Sequence, residues 1–331
     1  MKILNAGALS LIEDAGRFGY LSSGIGQAGV MDTDAYEAGA RLTGNRGDEA
    51  VIEMTLIGAS FRFEEETVIA LTGADMDARL NDRYLPPYLA CAVRPGDTLA
   101  LAMAKYGCRG YLSVSGGFDV PYVLGSRSTD LKCGIGGVSG RALWKDDALR
   151  ILPSSVPAPL RKSSEEARLG VLSGLAGAPS VPRSSIGAPG VIRVIAGPQE
   201  ECFTPEDKAR FYGNPFRVSP QSDRMGLRLE GPSVAGLHGT DIVSDGIVFG
   251  SVQVPKDGHP IILMADHQTT GGYAKIATVC SFDLPFLAQT RPGEWLRFKE
   301  VSVEEAQTFL LRKKGEESWT TQKHRRKLFG N

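Results

Sequence analysis

The sequence has no CxxC pair, no GxxxxGK[ST] phosphate loop, no GxGxxG running directly into a helix and no Ala-Met-Lys-Met segment. These gaps exclude a thiolate zinc site, an ordinary ATP-binding P-loop, a dinucleotide fingerprint and a covalent biotin carrier from this chain. The five cysteines, Cys91, Cys108, Cys133, Cys202 and Cys280, lie scattered, so no disulfide framework is indicated and a reducing, cytoplasmic setting suits them. The four histidines show no metal-ligand spacing, and no metal is expected. Charge of one sign is lacking too: 37 Lys and Arg against 38 Asp and Glu leave a formal net charge of -1. That balance gives no electrostatic case for nucleic acid or an anionic membrane. No run approaches the roughly 20 apolar residues of a membrane span, and the N-terminal apolar stretch is broken too soon by acids for a signal peptide.

What is present is a chain of 331 residues with 42% hydrophobic and 23% charged residues, enough for two compact domains with sizeable cores. Residues 153–190 hold 19 Pro, Ser or Gly among 38 positions and no aromatic, which reads as a linker or long excursion. It separates an N-terminal region, 1–152, from a C-terminal one, 191–311, ahead of a basic tail, 312–331, with seven Lys or Arg against two Glu. Short Val-, Ile-, Leu- and Phe-rich runs punctuated by Gly and Pro dominate both regions: Thr67 to Thr72, Tyr111 to Val114, Val191 to Ala196 and Ile247 to Val254. They predict a mainly β protein, in which closing the sheets removes sticky edges. Few helices are expected: Thr33 to Thr43 capped by Asp32, Asp283 to Gln289 with Pro285 in its first turn, and Val303 to Arg312. An internal echo, RPGDTLAL at Arg94 to Leu101 and RPGEWLRF at Arg291 to Phe298, places a Pro-Gly turn before a strand near each region's end.

Four segments carry candidate chemistry. In Gly250 to Tyr273 an Asp-Gly turn at Asp257 and Gly258 predicts a hairpin, and its second run ends in Asp266, His267, Gln268, Thr269, Thr270, Gly271 and Gly272. As a loop this stretch would aim backbone N–H groups at an anionic or carbonyl oxygen, with the two glycines allowing close approach. Asp266 suits a base or orienting acceptor, Gln268 can bond an amide or ureido group in both directions, and Lys275 can pair with a carboxylate. The glycine-rich Glu13 to Asp32 holds Arg17, whose guanidinium can fork a carboxylate. Ser113 to Asp130 surrounds Arg127 with hydroxyls, and Ser222 to Gly231 offers Arg224, with Asp223 as its buttress and Met225, Leu227 and Leu229 alternating inward. Hydrogen-bonded turns and solvated loops have the same composition, so both readings stand for each segment. Glu53, in the strand-like VIEMTL, is a buried carboxylate, a residue of the solvated face or the partner of an arginine.

The pieces DAGRFGY, Gly29 to Asp32, RLTGN, ALTGA, SGGFDVPYVLGSRST, SDRMGLRLEG and QVPKDGHPIILMADHQTTGGY together resemble one family, that of the 5-oxoprolinase C subunit, KipA and the biotin-dependent carboxyltransferases. The resemblance implies two cyclophilin-like β-barrel regions with a few short helices. It also implies two partners, the KipI-like B subunit of 5-oxoprolinase together with its third component, the A subunit. ATP would act at the level of that complex in opening 5-oxo-L-proline to L-glutamate, since an unactivated amide is a poor electrophile. On the carry-over Asp266, Gln268 and Lys275 are the catalytic candidates. Arg17, Arg127, Arg224, Gln253, Thr269, Thr270, Gly271, Gly272 and Tyr273 are the substrate-binding candidates. The family alternatives are a carboxyltransferase component, with biotin as cofactor, and a KipA-like regulator of a kinase inhibitor. Three positions depart from the usual family pattern: Glu13 where Gln is common, Ala28-Gly29-Val30 where Ser-Gly-Ala is common, and His267 where a basic residue commonly follows Asp266.

Overall fold

The computed structural model describes residues 1–153, 189–237 and 239–313, so the linker reading over 154–188, His238 and the basic tail beyond 313 lie outside the described residues. The chain divides into two compact units, one of residues 1–18 and 28–182, the other of 19–27 and 183–331.

Among its described residues the first unit has ten strands: β1 (Lys2–Asn5), β2 (Ser10–Glu13), β3 (Val51–Thr55), β4 (Ser60–Arg62), β5 (Thr67–Asp75), β6 (Arg79–Leu80), β7 (Arg83–Tyr84), β8 (Leu89–Val93), β9 (Thr98–Ala100) and β10 (Tyr106–Val114). They form two five-stranded sheets, ordered β1-β4-β9-β6-β7 and β2-β3-β10-β5-β8. Ile3, Phe61 and Leu99 of the first sheet and Ile12, Ile52, Ile69 and Leu112 of the second share one apolar core. The central strands β5 and β10 are buried almost throughout, because sheet partners flank them and a helix covers the second sheet. That is why they read as continuous apolar runs instead of alternating ones.

The covering helix is α1 (Thr33–Thr43), within the bounds its sequence predicts. Asp32 caps it by accepting the Ala35 N–H at 2.9 Å, and Gly44 closes it in the left-handed conformation at φ 70°. A Cβ added at Gly39 would meet Ser113 Oγ at 2.3 Å, so a glycine is what lets the helix lie this close to β10.

In the second unit, β11 (Gly190–Ala196), β12 (Pro215–Val218), β13 (Gly226–Glu230), β15 (Ser251–Gln253), β16 (Ile261–Leu263), β18 (Lys275–Val279) and β19 (Trp295–Glu300) close a barrel. Its order is β11-β18-β15-β16-β13-β12-β19, sealed by the parallel pairing of β19 with β11. Two further strands, β14 (Asp241–Gly246) and β17 (Thr270–Tyr273), make a separate ribbon. The expected mainly β fold is what the chain adopts. Seven-stranded closure is a property of the second unit, whereas the first keeps two sheets over one core.

Helix α2 (Pro205–Gly213) lies outside the helices expected from the sequence, although Thr204, Pro205 and Asp207 spell a capping box with proline in the first turn. Its Phe211 stacks on Phe298 of β19 with ring centroids 4.3 Å apart, which seats the helix on the barrel. A 3-10 turn at Ser281–Asp283 leads into α3 (Leu284–Gln289), so the expected helix starts one residue late. Residues 303–313 are helical, as the pattern predicts. The hairpin reading of Lys256 to His259 holds, with Val252 opposite Ile262 across β15 and β16. The predicted strand Ile247 to Val254 is shorter, since Ile247 to Gly250 lead into it as a turn in which Gly250 takes φ 90°.

Candidate active site

In the second unit, Arg224 and Asp266 form a two-point ion pair, Nε to Oδ2 at 2.8 Å and Nη2 to Oδ1 at 2.9 Å. The backbone aligns them: the Asp266 N–H donates to the Arg224 carbonyl at 2.9 Å, and the Met264 N–H to that of Met225. Two segments clamped at both backbone and side chain hold this fork in one orientation. The Arg224 side chain is 5% exposed and that of Asp266 17%, so the carboxylate edge is the reachable part. The expected buttress is corrected here: Asp223 accepts the Met225 and Gly226 N–H groups at 2.8 and 3.2 Å, and Asp266 is the partner of Arg224. Met225 does not alternate inward with Leu227 and Leu229. It precedes β13 and is 39% exposed, while the two leucines are buried.

Past Asp266 the chain turns back, with the His267 N–H donating to the Met264 carbonyl at 3.1 Å. The His267 imidazole is buried, and its Nδ1 lies 2.7 Å from the Gln268 carbonyl. Burial lowers the imidazole pKa, more than the Gln268 carbonyl and the Asp266 charge raise it. The Gln268 side chain is half-buried and makes no hydrogen bond among the described residues. The Thr269 carbonyl accepts from Ile247 N–H, and from Thr270 onward the chain is strand.

The expected anion nest is thereby corrected. Thr270, Gly271 and Tyr273 sit opposite Gly246, Asp245 and Asp241 of β14, so that stretch of backbone belongs to a strand ladder. Gly271 is required for packing: a Cβ there would come within 2.8 Å of Gln253 Nε2 and 2.7 Å of Ile247 Cδ1. A Cβ at Gly272 would meet the Ile242 carbonyl at 3.4 Å and Ser244 Oγ at 3.8 Å, ordinary contact distances, so packing does not require a glycine there. Gln253, buried on β15, donates from Nε2 to the Tyr273 carbonyl at 3.2 Å and so ties the barrel to the ribbon. Lys275 makes the same tie with charge. Its buried ammonium bonds Asp245 Oδ2 at 2.6 Å and the Gly246 carbonyl at 2.8 Å, and it holds the Asp245 carboxyl below the usual carboxylate range.

Arg17 and Arg127 belong to the first unit, around Asp14. Asp14 Oδ1 accepts Ser126 Oγ and Ser128 Oγ at 2.6 Å each and the Gly16 N–H at 2.9 Å, while Oδ2 takes the Arg127 N–H at 2.5 Å. Arg17, fully buried, donates from Nε to the Val123 carbonyl at 3.1 Å and from Nη2 to the Ser128 carbonyl at 2.9 Å. The hydroxyls expected to surround an arginine thus converge on a carboxylate, and the two loops are stitched together. Arg127 is half-buried, its guanidinium 4.9 Å over the Tyr122 ring.

Glu53 is buried. Its Oε2 accepts the Met31 N–H at 2.9 Å and the Tyr111 hydroxyl at 2.8 Å, and Arg109 Nε lies 3.9 Å from Oε1. The Tyr111 oxygen in turn accepts the Asp32 N–H at 2.9 Å, so this network fixes the residues leading into α1. Burial, with Glu53 and Asp32 nearby, pushes the Tyr111 phenol well above its usual range.

Comparison with known proteins now decides the family. Residues 23–300 match the model described as carboxyltransferase domain, subdomain A and B. The chain belongs to that family. Its similarity to the C subunit of 5-oxoprolinase from Escherichia coli is 38% identity over 314 residues, covering 92% of this chain and 93% of that protein. The Haemophilus influenzae protein of the same name is also 38% identical, with 95% and 94% covered. Among solved structures, the urea carboxylase of Kluyveromyces lactis superposes with a TM-score of 0.80 at 30% identity, over 92% of this chain but only 28% of that one. The chain therefore spans little more than a quarter of that relative's length.

In this carboxyltransferase-domain chain, three groups escape sequence reading. Asp14 and Ser128 look ordinary in their loops, and only folding brings them together across 114 positions. Asp245 sits in a stretch whose strand pattern is weak. His267 stands out in the sequence only as a departure from the family pattern. Among the described residues no group of His, Cys, Asp and Glu is placed to hold a metal ion, and no helix is long and apolar enough to cross a membrane.

Proposed function

We propose that this chain is the C subunit of a 5-oxoprolinase assembly, working with a KipI-like B subunit plus the A subunit to open 5-oxo-L-proline to L-glutamate. The observation that carries the reading is the end-to-end match: 38% identity covers 92–95% of this chain and 93–94% of two proteins that bear that name. ATP would act at the level of the complex, where phosphorylating the amide oxygen would activate the ring carbonyl toward water; the ring C–N bond would then break with its nitrogen protonated, and the oxygen would leave as phosphate. The motifs and donors of this chain suit a cyclic amide better than a triphosphate.

The residues divide the work as follows. Arg224 orients the Asp266 carboxylate, whose exposed edge orders the amide or the attacking water. The Gln268 side chain can donate to the lactam oxygen and accept from its N–H, the reciprocal match an amide makes with an amide. Lys275, its charge met by Asp245, holds β14 against the barrel and so positions the paired strand β17. Gln253 holds β17 in place, so that Thr270, Gly272 and Tyr273 present their accessible groups along one strand just after Thr269.

The test is glutamate release from 5-oxoproline and ATP by this chain mixed with the other two components of the assembly, each omitted in turn. Release that requires all three is the expected outcome. Gln268→Ala, which breaks no internal hydrogen bond, lowers the rate at least 10-fold while leaving the melting temperature within about 2 °C. Silence from an assembled, folded complex removes the reading. The structural likeness to urea carboxylase then favours carboxyl transfer from biotin to a ureido acceptor, seen as binding of free biotin.

A further inference from the structure

We infer that His267 Nε2 is a hydrogen-bond acceptor for the ring N–H of a cyclic amide or ureido ligand, and so the residue that selects such rings over their esters. The inference rests on the function proposed above and adds the group that would read the ring nitrogen.

A backbone carbonyl only accepts, so at 2.7 Å from the Gln268 oxygen His267 Nδ1 must be the nitrogen that carries hydrogen. In the neutral imidazole the lone pair is then on Nε2. Burial favours that neutral form, since the charged ring would lose its hydration. Nε2 has no hydrogen-bond partner among the described residues, yet it is not among the polar atoms sealed from solvent without one, a state that His259 Nδ1 does occupy. An oriented, unused acceptor thus borders solvent on an otherwise buried ring.

Its neighbours make this acceptor distinctive. Asp266, the adjacent acceptor, commits one lone pair of each oxygen to Arg224. A second carboxylate, Asp245, is taken up by Lys275, Gln199 and the Gly246 N–H. Along Asp266 to Thr269, Gln268 can donate to a carbonyl while His267 Nε2 accepts from an N–H, which is the donor and acceptor pattern of a lactam or cyclic urea.

The experiment measures binding of two ligand pairs to the assembled complex by calorimetry. One pair is 5-oxoproline and the γ-lactone that replaces its ring N–H by oxygen; the other is biotin and biotin methylated on its ring nitrogen. In the native complex the N–H ligand of at least one pair binds about 10-fold or more tightly than its partner, the size of one lost hydrogen bond with a repelled acceptor. His267→Asn keeps a donor where Nδ1 stood but removes the Nε2 acceptor, and it reduces that preference to within 2-fold. His267→Gln, whose amide oxygen reaches the Nε2 position, restores part of it. Preference retained by His267→Asn, or no preference in either pair, overturns the inference. A complex that releases no glutamate but discriminates biotin through His267 removes the 5-oxoproline reading and leaves this inference standing.

Discussion

Two aspartate and arginine pairs, one in each unit, use the same side chains in opposite ways. In the first unit Asp14 and Arg17 lie three residues apart, and each spends its hydrogen bonds elsewhere, the carboxylate on two serines and two backbone N–H groups, the guanidinium on two backbone carbonyls. In the second unit Arg224 and Asp266 lie 42 residues apart and pair directly at two points. The difference shows that a buried charge can be satisfied by many small dipoles or by one opposite charge. Dipoles bind loops together and occupy both oxygens of Asp14, while Arg17 keeps one buried nitrogen, Nη1, without a hydrogen bond. A direct pair leaves an oriented carboxylate edge, which is what a ligand can use.

The sharpest way to break this comparison is to remove one member of the direct pair. Asp266→Asn leaves the buried Arg224 guanidinium without its counter-charge and is expected to cost about 3 kcal/mol in denaturant unfolding. Arg224→Met combined with Asp266→Leu recovers most of that loss, because the cost lies in the orphaned charge. For the dipole-satisfied cluster the expected penalty is smaller: Ser128→Ala removes one of several bonds to Asp14 and costs about 1–2 kcal/mol by the same measurement. Tyr111→Phe, in a second network of the same kind, also costs about 1–2 kcal/mol, read as faster hydrogen exchange at the Asp32 and Met31 amides.

The ribbon tie sharpens the comparison through pH. The folded-state pKa of Asp245 is depressed by Lys275, so its contribution is present above the unfolded value of about 4 and is lost as pH falls through the folded value. The stability gap between the native chain and Asp245→Asn should therefore stay constant near neutrality and close below about pH 4. The smallest effect is expected for the exposed pair of Lys256 and Asp241, where Lys256→Ala leaves the denaturant midpoint essentially unchanged.

Much of the fold is legible from local chemistry. The echo of Arg94 to Leu101 in Arg291 to Phe298 persists in three dimensions. Gly96 and Gly293 take φ 93° and 92°, and the acid after each glycine, Asp97 or Glu294, accepts the arginine N–H at 2.8 Å. Such turns depend on four adjacent residues, so the sequence alone specifies them. Helix α1 is legible for the same reason. Helix α2 carries an equally clear cap, but its exposed, polar surface weakens the apolar stripe by which a helix is read.

The candidate site is legible only in part. The segment from Asp266 to Tyr273 stands out by its composition, and the comparisons place the chain in the carboxyltransferase domain family. Which side chain meets which cannot be read. Asp223 lies beside Arg224 in sequence, yet strand pairing turns Arg224 toward Asp266. Lys275 reads as a ligand for a substrate anion, but β14 brings Asp245 to it first. By itself the sequence determined the β class, the caps, the turns and the hairpin, since each depends on neighbours a few residues away. The tertiary structure alone decided which charges are neutralised internally and which keep an open edge, because that depends on groups that meet only when distant strands pair.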